Sequence, residues 1–282
     1  MNYAQDALWW RLAHPTIRDL ASLLTAPPLW HTGCELPTRE LLGEHGFRLL
    51  LQWDEQWQRD PQRQPEKLTR NRYALGKYAE DLLAYWFTHV PHAKLLAANL
   101  PVYNHDADGN STLGEIDYIV ELNGTPYHLE LACKYHGSAT GEQMAGLNPR
   151  DTLARKQRKL QRQLALLASP QAQATLRQHN IASEPIRSAS IVRGIGFTAT
   201  GKLPPPFPPQ AWSGIWTTTA HILPEHARYY RLNRTEYLAP ARITQPETIS
   251  RSQITPAALY AQVAPRPDGY WHEELRVMVV AE

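Results

Sequence analysis

The stretch GEIDYIVELNGTPYHLELACK, residues 114–134, carries Glu115, Asp117, Glu130 and Lys134 on two strand-like runs. Because side chains alternate between the faces of a strand, these four share polar faces whose opposite sides are apolar. Facing carboxylates repel each other, and a hard cation such as Mg²⁺ or Mn²⁺ relieves that repulsion. A nearby lysine can orient a water and offset charge on a phosphate. The residue types indicate a metal site for phosphodiester chemistry; a solvated sheet face with incidental ion pairs is the alternative.

The turn between the two runs sets which acids face each other. Asn123-Gly124 favours a two-residue hairpin turn, which pairs Asp117 with Glu130 and places their Cβ atoms about 4.5–5.5 Å apart. A four-residue loop, which Pro126 would favour, puts Asp117 opposite Ala132 instead. Both registers keep the acids and the lysine on one face.

Two helices contribute one polar residue each to an otherwise apolar stripe. Glu80 lies within the predicted helix 72–89, and Gln157 lies among the leucines of the predicted helix 149–168. A carboxylate on a core-facing stripe is costly unless it is paired or metal-bound. Glu80 could alternatively reach solvent, Arg72 or Lys77, and Gln157 could be a core amide bonded to the backbone.

The second of these helices is strongly basic. It is predicted to begin at Pro149 with Asn148 as its N-cap. Its net charge is +5 over 150–163, against +2 for the whole chain. Such a bias fits contact with nucleic-acid phosphates, although a solvated helix face is the common explanation. The predicted phosphate-binding residues are Arg150, Arg155, Lys156, Arg158, Lys159 and Arg162.

The order of predicted elements indicates an α/β fold with helices packed on a central mixed sheet. Helices are predicted at 4–24, 39–58, 72–89 and 149–168, and strands at 94–103, 113–122, 125–135 and 189–199. Three regions follow: an N-terminal helical region (1–70), a core (71–202), and a Pro-rich connection with a β-rich extension (203–282). The segment LPPPFPPQ at 203–210 is neither helix nor central strand.

Composition excludes several classes of protein. The longest apolar runs are too short to span a membrane, and the N-terminus lacks a secretory pattern. Cys34 and Cys133 are the only cysteines and form no CxxC motif, which argues against a disulfide framework or a thiolate zinc site. We therefore expect a cytoplasmic globular protein that does not bind membranes. The oligomeric state is left open.

Glu80, Asp117, Glu130 and Lys134 stand in an order that resembles the PD-(D/E)XK nuclease superfamily, the restriction-endonuclease-like fold. The resemblance covers roughly residues 70–200. It implies an acid on the helix before a three-stranded meander, an Asp on the second strand and a (D/E)-x-Lys on the third. The whole chain is also similar to an uncharacterised bacterial family of about this length grouped with these nucleases. One departure is Ala132, which occupies the position where the motif has its second acid.

The resemblance implies a Mg²⁺- or Mn²⁺-dependent nuclease acting on DNA or RNA. Asp117 and Glu130 would hold the metal, with Glu80 or Glu115 as a further acid, while Lys134 and Gln157 would complete the catalytic set. A catalytically degenerate nuclease fold that binds nucleic acid is the first alternative. The second is a protein-interaction scaffold that uses the aromatic flanks at 9–10, 53–57 and 212–216.

Overall fold

The computed structural model describes residues 11–69, 74–106, 109–181 and 185–281. Within them, nine strands form one mixed sheet with helices on both faces. The predicted α/β class with a central mixed sheet flanked by helices is confirmed.

The N-terminal region contains three helices: α1 (Pro15–Thr25), α2 (Thr38–Leu42) and α3 (Gly46–Arg59). The predicted helix 39–58 is thus interrupted, because Gly43 ends α2 with a φ of 69° and its backbone lies against the His92 ring. Of the predicted helix 4–24, residues 1–10 lie outside the described part, and α1 begins at Pro15. The polar segment that follows forms two short 3₁₀ turns, Pro61–Arg63 and Glu66–Leu68.

The helix with Glu80, α4 (Leu75–His89), leads into a three-stranded antiparallel meander. Its strands are β1 (Ala93–Asp106), β2 (Gly109–Leu122) and β3 (Thr125–Gly137). Asn123 and Gly124 both have positive φ, 48° and 77°, as a two-residue hairpin turn requires. Leu122 pairs with Thr125, so the two-residue register is confirmed and the four-residue alternative is wrong.

The chain then crosses over to a strand parallel to β3. The crossover contains α5 (Leu153–Leu166) and α6 (Pro170–Gln178), and it ends in β4 (Arg187–Thr198). The basic helix therefore starts at Leu153 rather than Pro149. The side chain of Asn148 accepts from Arg150 N at 3.0 Å, and Asp151 N donates to the Asn148 carbonyl at 2.9 Å. These bonds close a turn ahead of the helix.

The C-terminal strands continue the same sheet. They are β5 (Ser213–Thr217), β6 (Arg228–Arg231), β7 (Arg242–Ile243), β8 (Ala258–Pro265) and β9 (Trp271–Val279). The strand order is β1-β2-β3-β4-β5-β9-β8-β6, and β7 pairs with β9. β8 was not predicted. The Pro-rich segment forms no helix or strand, as expected, and Leu203 and Phe207 pack on the core.

The sheet has a helical layer on each side. On one face, α1, α3 and α4 share the largest core with Tyr118, Leu129 and Ile195 of the central strands. On the other face, α5 packs on Ala132 and Val192, and α6 packs on β1 and β2. The polar face of β2 and β3 thus lies under α5. None of the described helices is both long and apolar enough to cross a membrane.

Candidate active site

The ladder between β2 and β3 ends at the acids. Its last backbone pair is Tyr118 with Leu129. Just beyond it, Leu131 N donates to Asp117 Oδ2 at 2.8 Å, and Asp117 N lies 3.4 Å from Glu130 Oε1. Each carboxylate thus accepts from an N–H of the opposite strand where backbone pairing stops, so that these buried donors remain satisfied. The strand divergence brings Asp117 and Glu130 together.

Glu130 is completely buried and is oriented by a histidine. His128 Nε2 lies 2.8 Å from Glu130 Oε1, and His128 Nδ1 lies 3.1 Å from Ser188 Oγ on β4. The other carboxylate oxygen, Glu130 Oε2, is buried and has no hydrogen-bond partner among the described residues. A buried oxygen without a donor is uncommon, and it marks either a protonated carboxyl or a position for a cation.

Burial sets the protonation of this cluster. It raises the pKa of Asp117 to about 8, and the neighbouring Glu130 adds to the effect. Burial also raises the pKa of Glu130 to about 8, against the opposing field of Lys159. The pKa of His128 is lowered to about 4 by burial, so its ring is neutral at neutral pH. Two coupled carboxyls in this setting retain a proton at neutral pH.

Glu80 lines the same cavity as Asp117. Its carboxylate is half-buried and lies 3.5 Å from Lys77 Nζ. The Asn99 amide, in the orientation that satisfies both Glu80 and Lys77, donates to Glu80 Oε2 at 3.1 Å. Burial raises the pKa of Glu80, Lys77 opposes the shift, and Glu115 adds to it. Tyr118 Oη donates to the Glu80 backbone carbonyl at 2.7 Å, which ties α4 to β2 at this point.

The acids share one cavity of about 400 Å³ between α4, β2 and α5, hereafter the acid cavity. Glu80, Glu115 and Asp117 line one side, and Lys159 and Arg162 line the other. Glu130 is not part of this lining, and its Oε1 lies 3.4 Å from Asp117 N. Acids that could hold a cation and bases that could hold a phosphate therefore border the same space.

Lys134 and Gln157 lie outside the acid cavity lining. Lys134 is four residues beyond Glu130 on β3, about 13 Å along the strand. It lies 3.9 Å from Asp151 in a neighbouring cavity. Lys134 shares a face with Asp117 and Glu130, but its side chain does not converge with theirs. Gln157 is half-buried on the α5 stripe, between Leu153 and Leu160.

The predicted phosphate-binding residues divide among three surfaces of α5 and the turn before it. Arg155, Arg158 and Arg162 line an open depression along the helix, and Lys159 and Arg162 border the acid cavity. Arg155 and Lys156 also line the cavity that contains Lys134. Arg150 belongs to the turn that precedes α5 rather than to the helix.

Two groups of this site were not predicted in their present roles. Strand alternation places His128 on the same face as Glu130. Its burial, however, depends on β4, which lies beside β3 through parallel pairing. Lys159 was predicted as one of several surface bases. Its position toward Glu130 follows from the rotation of α5 on the sheet, which periodicity alone does not fix.

A family model described as "Domain of unknown function (DUF1853)" matches residues 18–280. The chain belongs to that family. The match runs from within α1 to the end of β9, so the acid cavity lies inside the DUF1853 domain. No curated protein and no solved structure gives a significant match.

The donor set of this DUF1853 cavity fits a hard cation. No group of three or more His, Cys, Asp or Glu side chains in the described ranges is arranged to hold a metal ion. Mg²⁺, however, commonly binds through one or two carboxylates, with water and substrate phosphate as its other ligands. Asp117 and Glu130 supply that pair, and Glu130 Oε2 is an oxygen without a donor.

Proposed function

We propose that this DUF1853 protein is a Mg²⁺- or Mn²⁺-dependent nuclease that hydrolyses phosphodiester bonds of DNA or RNA in the acid cavity. The carrying observation is the buried Glu130 carboxylate, whose Oε2 has no hydrogen-bond partner among the described residues, next to Asp117, which lines a cavity together with Lys159 and Arg162. Asp117 and Glu130 would hold the cation, and Glu80 and Glu115, which line the same cavity as Asp117, would contribute through water. The order α4, meander, α5 and parallel β4 supports the resemblance to PD-(D/E)XK nucleases.

The protein's own groups have distinct parts in this proposal. A bound Mg²⁺ would supply an activated water and neutralise charge on the phosphate. Lys159 and Arg162 would bind the phosphate oxygens, since arginine in particular presents paired donors to them. His128 and Ser188 are positioning residues, because they hold one oxygen of Glu130 and leave the other available. Lys159, rather than Lys134, is the lysine that would assist the reaction.

Nucleic-acid binding without cleavage is the second candidate, and one observation favours it. Ala132 removes the usual second acid, and Lys134 lies beside Asp151 instead of Asp117.

The interaction-scaffold alternative finds less support. Trp57 and Trp212 are buried in the core, and Trp53 packs edge-on against Tyr85 and Trp86.

The deciding experiment compares wild type with Asp117→Asn. Asparagine can still accept from Leu131 N, but it removes one charge of the facing pair. We expect Mn²⁺ affinity measured by calorimetry to fall at least about tenfold and cleavage of mixed DNA and RNA to be lost, since a metal ligand has been neutralised. The melting temperature of the metal-free protein should not decrease, because the carboxylate repulsion is gone.

Glu121→Gln is the matched control, since it removes the same charge from the same strand outside the cavity. It should bind Mn²⁺ and cleave as wild type does. A wild-type protein that neither binds millimolar Mn²⁺ nor cleaves any nucleic acid would favour the non-catalytic alternative. Full cleavage by Asp117→Asn would place the active site elsewhere.

A further inference from the structure

A second cavity, of about 520 Å³, lies at the first turn of α5 and is separate from the acid cavity. Its walls come from the N-terminal end of α4, from β3, from the 146–151 turn and from the 3₁₀ turn Arg234–Glu236. We call it the cationic cavity. Its charged lining residues are Lys134, Arg150, Asp151, Arg155, Lys156 and Arg234.

The charges of the cationic cavity are unbalanced. Asp151 is the one acid in the described lining, and it lies 3.9 Å from Lys134 Nζ and 3.4 Å from Lys156 Nζ. Arg150, Arg155 and Arg234 have no carboxylate partner within the described residues. Five cations and one carboxylate line this cavity, and a bound anion would offset the mutual repulsion of the cations.

Beneath this lining lies His136, whose pKa is lowered by burial to about 4, so its ring is neutral at neutral pH and adds no charge. His136 is 1% exposed, and neither of its ring nitrogens has a hydrogen-bond partner among the described residues. Its Nε2 lies 3.5 Å from Asp151 Oδ2. Burial lowers the pKa of Lys134, and the adjacent Lys156 lowers it further, against the field of Asp151. Asp151 contacts both Lys134 and Lys156, and its single negative charge cannot balance both positive charges.

The cavity also offers apolar and aromatic surface. Leu75, Tyr237 and Met278 line it beside the charged groups, and Tyr135 packs edge-on against Tyr237 with ring centroids 5.2 Å apart. A volume of this size is within the usual range of about 300–1,000 Å³ for small-molecule sites. The combination suits a ligand with a strongly anionic end and a flat organic body.

We propose that the cationic cavity binds a phosphate monoester of a nucleoside, with the phosphate between Lys134 and the three arginines. Arginine donors match phosphate oxygens in pairs, and a monoester carries close to two negative charges at neutral pH. The ligand is either a free nucleotide or the phosphorylated end of a nucleic-acid strand. This site does not depend on cleavage in the acid cavity, because it requires neither metal nor the acids.

The test measures binding of adenosine 5′-monophosphate by calorimetry, without divalent metal, to the full chain. The cavity variant is Arg150→Gln with Arg234→Gln, two exposed positions whose replacement leaves the core intact. The matched control is Arg177→Gln with Arg228→Gln, which removes the same charge from exposed surfaces outside the cavity. We expect the cavity variant to lose at least about tenfold in affinity, since two charge-assisted contacts are removed. The control should bind as wild type does.

Two oligonucleotides of one sequence, with a 5′-phosphate or a 5′-hydroxyl, separate the sources of the ligand. Preference for the phosphorylated strand, lost in the cavity variant, assigns the site to strand ends. Binding of the mononucleotide with no difference between the strands assigns it to free nucleotides. The proposal is overturned if wild type binds neither probe at millimolar concentration, or if the cavity variant binds both as well as the control.

Discussion

His128 Nε2 lies 2.8 Å from Glu130 Oε1, two residues along β3, and both side chains are completely buried. Burial lowers the pKa of His128 to about 4, so the ring is neutral and carries one N–H. In the tautomer whose N–H lies on Nε2, His128 donates to Glu130 Oε1 and Nδ1 accepts from Ser188 Oγ. The orientation of the most deeply buried acid is therefore set from β4, through the histidine.

Replacing His128 should destabilise the protein through Glu130. His128→Ala leaves Glu130 Oε1 buried with one weak donor, which costs about 1–3 kcal/mol, whereas Ser188→Ala should cost about 0.5–1.5 kcal/mol. Urea denaturation provides the free energy of unfolding for each. The exposed His226→Ala is the control, and an equal loss in His226→Ala and His128→Ala would contradict the arrangement.

The stability of the metal-free protein should decrease as pH rises from 5 to 8. The pKa values of Asp117 and Glu130 are raised to about 8 in the folded protein, from ordinary values of 3.8 and 4.5. Between these limits the folded state binds more protons than the unfolded state, so unfolding becomes easier as pH increases. Urea denaturation at several pH values measures the slope.

Asp117→Asn is the variant that tests the origin of that slope. With one carboxyl removed, the remaining acid loses its charged neighbour, and the decrease in stability toward pH 8 should become shallower. Glu121→Gln should keep the wild-type slope. If both variants follow wild type, other groups cause the pH dependence.

Lys159 and Lys134 should differ in their effects on cleavage. Lys159 borders the acid cavity and opposes the raised pKa of Glu130, whereas Lys134 lies with Asp151. Lys159→Gln should therefore lower kcat by about 10²–10³, in the range of a lost charge-stabilising or proton-transfer group. Lys134→Gln should change kcat by less than about tenfold on the same scale. Single-turnover rates provide the measurement, and a reversed order would return the catalytic role to Lys134.

Nucleic-acid affinity should depend on the exposed face of α5. Replacing Arg155, Arg158 and Arg162 together by Gln should flatten the plot of log affinity against log salt by about two to three units, since each lost contact releases about 0.7–0.9 fewer counterions. Arg177, Lys202 and Arg228, replaced together by Gln, remove the same charge elsewhere. An equal slope in both triple variants would show that the α5 face is only solvated.

The local part of this architecture was predictable from the sequence. Asn123-Gly124 fixed the hairpin register, and the register placed Asp117 against Glu130. Alternation then put the acids on the face that α5 covers. These relations depend on residues close together in the chain, where turn geometry and strand period suffice.

The errors arise where distant segments meet. The start of α5 moved from Pro149 to Leu153 because Asn148 bonds to the turn, and Asp151 pairs with Lys134 of β3. Lys134 shares a face with Glu130, as predicted, but strand length separates them. The cationic cavity combines β3 with Arg234 and Met278, which no local pattern connects.

The attachment of α1 to the far end of the chain has a consequence for biosynthesis. Arg18 Nη2 donates to the Pro240 carbonyl at 3.0 Å across 222 positions, and Arg193 Nε donates to the Leu23 carbonyl at 2.7 Å. α1 is synthesised before either partner: Arg193 follows with β4, and the Pro240 carbonyl follows only with the C-terminal region. Such high contact order slows folding and prolongs exposure of apolar surface, so the nascent chain should depend on chaperones until its final strands are released.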